Sequence, residues 1–542
     1  MLFHYYDSFG AGNFDTLFKG TYIHDHPTKN QGVYRVLRFN FSGLDSGHAL
    51  IDNFIGEIRN GIADFFRRYP LANGSLEFLN NTYTSPAKLL NDFASKAIFQ
   101  TGKQDVYVII DEYDQFANDI LSNNLDLFRE ITAKEGFLKN FYATIKKHTQ
   151  DLIYRTFITG VSSISLDSIT SGFNIASNIS FEKPYLNMFG FSQGELIELI
   201  YNTVDLEKYG QSADEIVTRM KVYYNGYRFN RSADTSVFNP TMCLYYLKHL
   251  AVYAQEPEVM TDPAFSSDLN KIDGLMALAQ NPSLVKEVVF DIINGRSVYM
   301  ETQPATLNLN TLDKLRRHEL LSLLFYLGYL TWSSEDELYL CCPNQAVREQ
   351  FFEYYFTHIL DADPFAFILN KNLKKAYASL KLGKLYPLLK MVSDKLDLNS
   401  GLHASAHFNE NSIQCAVQMA ILLSTDFTAV AEQEALGQGY CDLLIEEKKP
   451  DDERQIYLVE FKYVKKTDSD EKRLTEQLKK AQQQLLSYTQ SPSFANIHNL
   501  ILCAAVFSGT KLAKFAQKSR DDASFVTETQ TLIPKKVKNS LV

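Results

Sequence analysis

Two short apolar runs near the C-terminal end carry the side chains with the most evident chemistry. Gly439-Tyr440-Cys441-Asp442-Leu443-Leu444-Ile445 closes a turn-rich stretch. After the polar segment Lys448 to Glu453 comes Ile456-Tyr457-Leu458-Val459-Glu460-Phe461-Lys462-Tyr463. Strand alternation places Glu460 and Lys462 on one face of the second run, with Val459 and Phe461 on the other. Pairing of the two runs as a hairpin brings Asp442 beside that polar face. Two carboxylates and an ammonium then meet at the edge of an apolar sheet, where burial is costly unless something compensates. A divalent cation held by oxygen ligands compensates, and the lysine is left to orient or activate a water. The same residues also fit a plainer arrangement, a solvated face with a weak ion pair.

This pattern resembles the PD-(D/E)xK nuclease superfamily, with Asp442 as its first acid and Glu460-Phe461-Lys462 as its E-x-K. The resemblance implies a restriction-endonuclease-like α/β fold and Mg2+ or Mn2+ held by Asp442 and Glu460. It also implies phosphodiester hydrolysis, with Lys462 assisting the attacking water. Cys441 stands where the superfamily's name has proline, and Gly439-Tyr440-Cys441-Asp442 lacks the arginine many relatives carry there. A further acid from the first helix or first strand is implied, with Glu410 and Glu434 as candidates. Glu434 is favoured, because its strand feeds directly into the Asp442 turn. A glutamine on the helix Leu474 to Tyr488 is implied too, and Gln484 fits best within Gln482-Gln483-Gln484. Each of these, taken singly, also reads as an ordinary surface residue.

The N-terminal third is organised around a second acidic motif. Val33 to Phe41 alternates as a strand, and helical periodicity follows over 49–69 and 86–99. Asp105-Val106-Tyr107-Val108-Ile109-Ile110 is a near-continuous apolar run, the kind buried on both faces of a parallel sheet. It leads into Asp111-Glu112-Tyr113-Asp114. A helical stretch to about His148 and a strand over Thr156 to Val161 complete an α/β alternation that predicts a parallel sheet. Four apolar residues before Asp-Glu have the form of a Walker B element, in which Asp111 holds a nucleotide's magnesium and Glu112 orients water. Capping of the next helix by either acid is an equal reading.

Ile109-Ile110-Asp111-Glu112-Tyr113-Asp114, Phe157 to Ser162 and Ser171 to Ile175 together resemble a predicted AAA-ATPase-like family joined to a C-terminal nuclease domain. Phe189-Gly190-Phe191, Tyr223 to Phe229 and Phe238-Asn239-Pro240 extend the likeness. The family's phosphate-binding loop has no counterpart, since no Gly-Lys-Ser or Gly-Lys-Thr occurs in the chain. The expectation is therefore no ATP hydrolysis, with ATP a cofactor only if an upstream segment supplies the loop.

The expected architecture is a multidomain α/β chain. A P-loop-NTPase-like sheet lacking its phosphate loop spans 1–188, and a helical lid spans 189–250. A connector spans 251–363, as a winged helix or, preferably, a plain spacer, and a restriction-endonuclease-like domain spans 364–542. Of the connector, Leu250 to Gln303 reads as irregular, with Pro257, Pro263 and Pro282 as breakers. At 542 residues several domains are required. The formal charge of -10 argues against a general polyanion binder without excluding a local basic groove. Six scattered cysteines without a C-x-x-C pair read as reduced thiols in a cytoplasmic setting. No apolar run approaches membrane-spanning length. The expected partner is nucleic acid, DNA foremost, with no membrane and with a homo-oligomer left open. The competing function is a non-catalytic nucleic-acid- or protein-binding module built on the same two folds.

Overall fold

The computed structural model describes residues 1–44, 49–70, 76–114, 120, 127, 136–160, 175–257, 259–262, 269–279, 281–300, 315–359, 371–399, 409–422, 424, 426–435, 439–447, 454–492, 494, 497 and 499–528. The expected turn Lys448 to Glu453 lies outside them, as do Val161-Ser162 and Ser171 to Asn174 of the family-like stretches.

A three-stranded parallel sheet forms the N-terminal unit, in the order β1 (Arg35–Asn40), β2 (Val106–Asp111), β3 (Ile153–Ile158). Helices α1 (Leu50–Arg68), α2 (Pro86–Thr101) and α3 (Phe137–Lys147) cover one face. On α1, Phe54, Ile55, Ile58, Ile62 and Phe65 recur at helical spacing and are buried against Leu37, Phe39, Val108 and Ile110. Each such side chain taken from water contributes about 1.5–3 kcal/mol. The opposite face holds Val36, Tyr107 and Ile109, with Phe3 and Tyr6 of the short helix Leu2–Tyr6 packed on it. Asp7 locks that helix down: fully buried, it accepts from Arg68 Nη1 at 2.7 Å and from the Tyr69 hydroxyl.

Three longer capped helices follow, α4 (Gln193–Thr203), α5 (Ala213–Tyr224) and α6 (Pro240–Tyr253), with the single turn Leu206–Tyr209 between the first two. Ser192 with Glu195 and Ser212 with Glu215 form capping boxes, and Asn239 caps α6. Leu196, Ile200, Ile216, Met220, Tyr246 and Leu250 give them a core of their own. The sequence between Leu250 and Gln303 is not irregular throughout, contrary to expectation. Pro282 opens helix α7 (Pro282–Ile293) at its first position, and Asn281 caps it by accepting from Leu284 N at 2.8 Å. A proline there starts a helix rather than breaking one, because that N–H has no helical partner in any case.

Next come β4 (Val298–Tyr299), α8 (Arg317–Tyr326), β5 (Thr331–Trp332), β6 (Tyr339–Cys341) and α9 (Gln345–Tyr354), the strands pairing antiparallel in the order β4-β6-β5. The three-helix unit meets this sheet along a tight seam. Gly226 has φ +103°, and a Cβ there would lie 1.9 Å from Pro343 O. Asn344 Nδ2 donates to Asn225 O at 2.9 Å, and Arg228 N donates to Thr331 Oγ1 at 2.7 Å.

The C-terminal unit is a mixed six-stranded sheet. Its strands are β7 (Phe427–Ala435), β8 (Gly439–Glu447), β9 (Ile456–Val464), β10 (Leu500–Ser508), β11 (Lys511–Ser519) and β12 (Val526–Glu528), in the order β12-β11-β10-β9-β8-β7. β9 and β10 run parallel, and every other neighbouring pair is antiparallel. Helices α10 (Lys371–Lys381), α11 (Tyr386–Asn399) and α12 (Glu410–Leu422) precede it, and α13 (Glu471–Tyr488) makes the β9-to-β10 crossover. Val459, Phe461, Ala505 and Phe507 enter the core that α12 shares. Leu458, Leu502, Ala504 and Val506 pack on Leu474, Leu478, Ala481 and Leu485 of α13. Among the described residues no helix is long and apolar enough to cross a membrane.

Candidate active site

The sheet opens a fork between β8 and β9. Their ladder runs from Glu446↔Ile456 to Leu443↔Val459 and stops. At the next position the Asp442 carboxylate takes over, accepting from Phe461 N through Oδ2 at 2.6 Å. Gln414 on α12 donates to Asp442 O at 2.5 Å, which pins the backbone at the same point. Strand alternation turns Val459 and Phe461 into the core and leaves Glu460 and Lys462 on the other side. Lys462 Nζ donates to Glu460 Oε1 and to Phe461 O, both at 2.8 Å. Glu410, the first residue of α12, completes the group: its Oε1 is 4.0 Å from Lys462 Nζ and its Oε2 accepts from Tyr463 N at 3.2 Å.

Burial governs the electrostatics. Glu460 is 1% exposed and its carboxyl is pushed upward, by burial first and against the pull of Lys462. The Asp442 carboxyl is pushed up to about 7, by burial and then by the neighbouring Glu460. Burial draws the Lys462 ammonium down, but Glu460 beside it outweighs this and the net shift is upward. The group therefore keeps its cation and holds more negative charge than one lysine balances comfortably.

Residues 408–516 match the PD-(D/E)XK nuclease superfamily. Residues 1–170 match a family described as predicted AAA-ATPase. A curated relative, an uncharacterized protein in the vnfD 5′ region of Azotobacter chroococcum mcd 1, is 31% identical over 139 residues, which are 26% of this chain. The match spans about a quarter of that relative's length, 24%. No solved structure matches the chain.

Within the PD-(D/E)XK region the fork joins Asp442, Glu460 and Lys462 into one cluster. The donor set suits a hard divalent cation: one buried and one half-buried carboxylate, both held above their ordinary range, offer oxygen ligands whose charge an ion would relieve. Among the described residues no three of His, Cys, Asp and Glu stand together as a metal cluster. Of the two candidate additional acids, Glu410 is the one the structure shows beside Lys462. Glu434 sits on β7 in register with Tyr440, and its side chain lies outside the described residues. Gln484 is on α13 and half-buried, while the contact from that helix to the acids is made one turn later. There the Tyr488 hydroxyl lies 2.8 Å from Tyr440 O and 3.3 Å from Glu460 Oε2. Sequence reasoning missed Tyr488. The signal was there, since residue 488 follows 484 by one helical turn on the face that buries Ala481 and Leu485.

Asp111 and Glu112 lie in the region matching the predicted AAA-ATPase. Asp111 ends β2, exposed, and accepts from the Thr159 hydroxyl of the neighbouring strand's end at 2.5 Å. Glu112 follows at φ +50°, a left-handed conformation uncommon outside glycine, which turns the chain sharply off the strand.

Proposed function

We propose that this chain is a metal-dependent nuclease that hydrolyses phosphodiester bonds in nucleic acid, with the β8–β9 fork as its catalytic centre. The observation that carries the reading is the convergence of buried Glu460, half-buried Asp442 and Lys462 where the ladder stops, a cluster whose crowded negative charge a divalent cation would relieve. Asp442 and Glu460 would hold Mg2+ or Mn2+, and such an ion, when bound, supplies Lewis-acid stabilisation of charge on the phosphate and a more acidic water. Lys462 stays protonated beside Glu460, so it acts as a hydrogen-bond donor and not as a base. Two of its three donors go to Glu460 and Phe461, and the third orients a water or a phosphate oxygen. Glu410, the most exposed carboxylate of the group at 38% of its side chain, takes the water's proton. Tyr488 steadies Glu460 from the opposite helix.

In the same reading 189–250 serve as a helical lid and 251–363 join the two units. DNA is the first substrate to test. Asp111 and Glu112 are inherited geometry first and catalysts second, unless an upstream segment supplies the phosphate loop. The test is cleavage of labelled oligonucleotides with Mg2+ or Mn2+ by the parent and by Lys462→Ala. The nuclease reading expects cleavage by the parent alone, with unchanged circular dichroism in the variant. Binding without cleavage in both would replace it with the binding-module function.

A further inference from the structure

At the fork a regular ladder gives way to side chains. Glu447 N donates to Gln455 O at 2.9 Å, and the register Ile445↔Tyr457 and Leu443↔Val459 repeats that bonded pairing at every second residue. One further step of the same register would pair Cys441 with Phe461. At that step Phe461 N donates to Asp442 Oδ2 at 2.6 Å, and Phe461 O accepts from Lys462 Nζ at 2.8 Å. Both main-chain groups that closure of the ladder would use are thus held by side chains of the proposed site.

The restraint on Asp442 comes from the α12 side of the sheet. Along that helix Glu410, Gln414 and Gln418 stand four residues apart, in one row. Each bonds the main chain of a different strand. Glu410 Oε2 accepts from Tyr463 N of β9 at 3.2 Å, Gln414 Nε2 donates to Asp442 O of β8 at 2.5 Å, and Gln418 Nε2 donates to Ala429 O of β7 at 3.2 Å. The two glutamines are 3% and 0% exposed, beside Ile413, Val417 and Ile421 of the core. A buried amide costs stability unless it is bonded, and an apolar side chain of the same shape would fill that space without the risk. What the row supplies is therefore the placement of three strands relative to one helix. Gln414 meets the proposed metal-binding residue itself. Gln418 acts further along, since Ala429 is in register with Ile445 of β8.

We propose that Gln414 is a positioning residue of the metal site. By holding the Asp442 carbonyl from α12 it fixes that residue's backbone, and so keeps the carboxylate on the Phe461 amide, where an ion would share it with Glu460. The part played by the ion rests on the nuclease reading; the hold on Asp442 does not.

The test uses the full chain with Gln414→Met, Gln414→Asn and Gln418→Met. Methionine fills the space of glutamine without its donor, and asparagine keeps the amide on a shorter stem. Hydrogen exchange over the peptide Ile456–Val464 in EDTA, read by mass spectrometry, reports the Phe461 amide, and calorimetric titration with Mn2+ reports the ion site. Gln414→Met should exchange the Phe461 amide faster than the parent and bind Mn2+ about 10–100-fold more weakly. Gln414→Asn should show the same changes in smaller measure, and it decides the matter if the methionine variant does not fold. Gln418→Met should leave both readouts at their parental values, whatever it does to the melting temperature. Parental Mn2+ affinity in the Gln414 variants, or an equal loss in Gln418→Met, overturns the proposal. A parent that takes up no Mn2+ removes the nuclease reading instead. Faster exchange confined to the Gln414 variants would then still support the hold on Asp442, and unchanged exchange would overturn it.

Discussion

The chain places acids at the end of a strand in two sheets, and the two placements differ in their exposure to water. At the end of β2, Asp111 is exposed and its partner is the Thr159 hydroxyl. At the β8–β9 fork, Asp442 and Glu460 are held by a backbone amide and an ammonium, and both carboxyls are pushed upward by burial. The first acid lies open to water, so its charge carries no burial cost. The second pair is costly as long as its charge is unmatched. The comparison teaches that a motif's spelling is less informative than the desolvation around it: Asp-Glu after a buried strand and E-x-K within one look equally suggestive in sequence.

Substitutions at the two strand ends should separate them sharply. The largest expected effect is Lys462→Ala, which should lower the cleavage rate by about 10²–10³-fold, the loss typical of one donor aimed at developing charge. Asp111→Ala should leave cleavage within roughly twofold, as expected for surface changes away from a site. Oligonucleotide kinetics on the two variants check both, and loss of cleavage in Asp111→Ala would erase the contrast.

Asp442→Asn should abolish Mg2+ uptake by calorimetry. Its effect on stability has a definite sign. Because the folded Asp442 carboxyl lies near 7, above its ordinary value, the fold retains that proton more tightly than the unfolded chain does. That contribution is complete below about pH 4 and is lost as pH rises through about 7. The metal-free parent should therefore melt lower at about pH 8 than at about pH 5, and Mg2+ should restore most of the loss. Asp442→Asn should flatten the profile.

Smaller effects sharpen the map of the fork. Glu410→Gln should slow cleavage roughly tenfold or more if it takes the water's proton. Glu434→Gln serves as the comparison, and a larger loss there would transfer the role to β7. Tyr488→Phe removes a hydroxyl whose one proton is shared between Tyr440 O at 2.8 Å and Glu460 Oε2 at 3.3 Å, so the rate should fall by no more than about fivefold. Gln484→Ala tests whether the helix contributes one turn earlier.

How much of this was legible in the sequence follows from the range of the forces involved. Glu460, Lys462, Val459 and Phe461 obey a strand's two-residue period, so local alternation sorts them correctly. The Asp442 carboxylate's capture of the Phe461 amide is a long-range fact, because it depends on where a ladder ends. Glu410 joins the group only because α12 crosses the sheet, which no spacing within the chain encodes. β11 escaped notice for a different reason. Lys511, Lys514 and Lys518 interrupt its apolar pattern, and their burial is decided by neighbours on β10 and α13, such as the Lys514–Glu471 pair at 2.5 Å. α7 was hidden by Pro282, whose meaning depends on whether it stands at a helix's first position or inside it.

The seam at Gly226 has a mechanical corollary. There main chain presses on main chain, with no side chain between to yield, so the three capped helices and the β4-β6-β5 sheet cannot slide past one another at that point. Helix α9 grows directly out of Pro343-Asn344 and packs on α7. Gly226→Ala would wedge that joint apart, since the overlap is with main-chain atoms that no change of rotamer relieves.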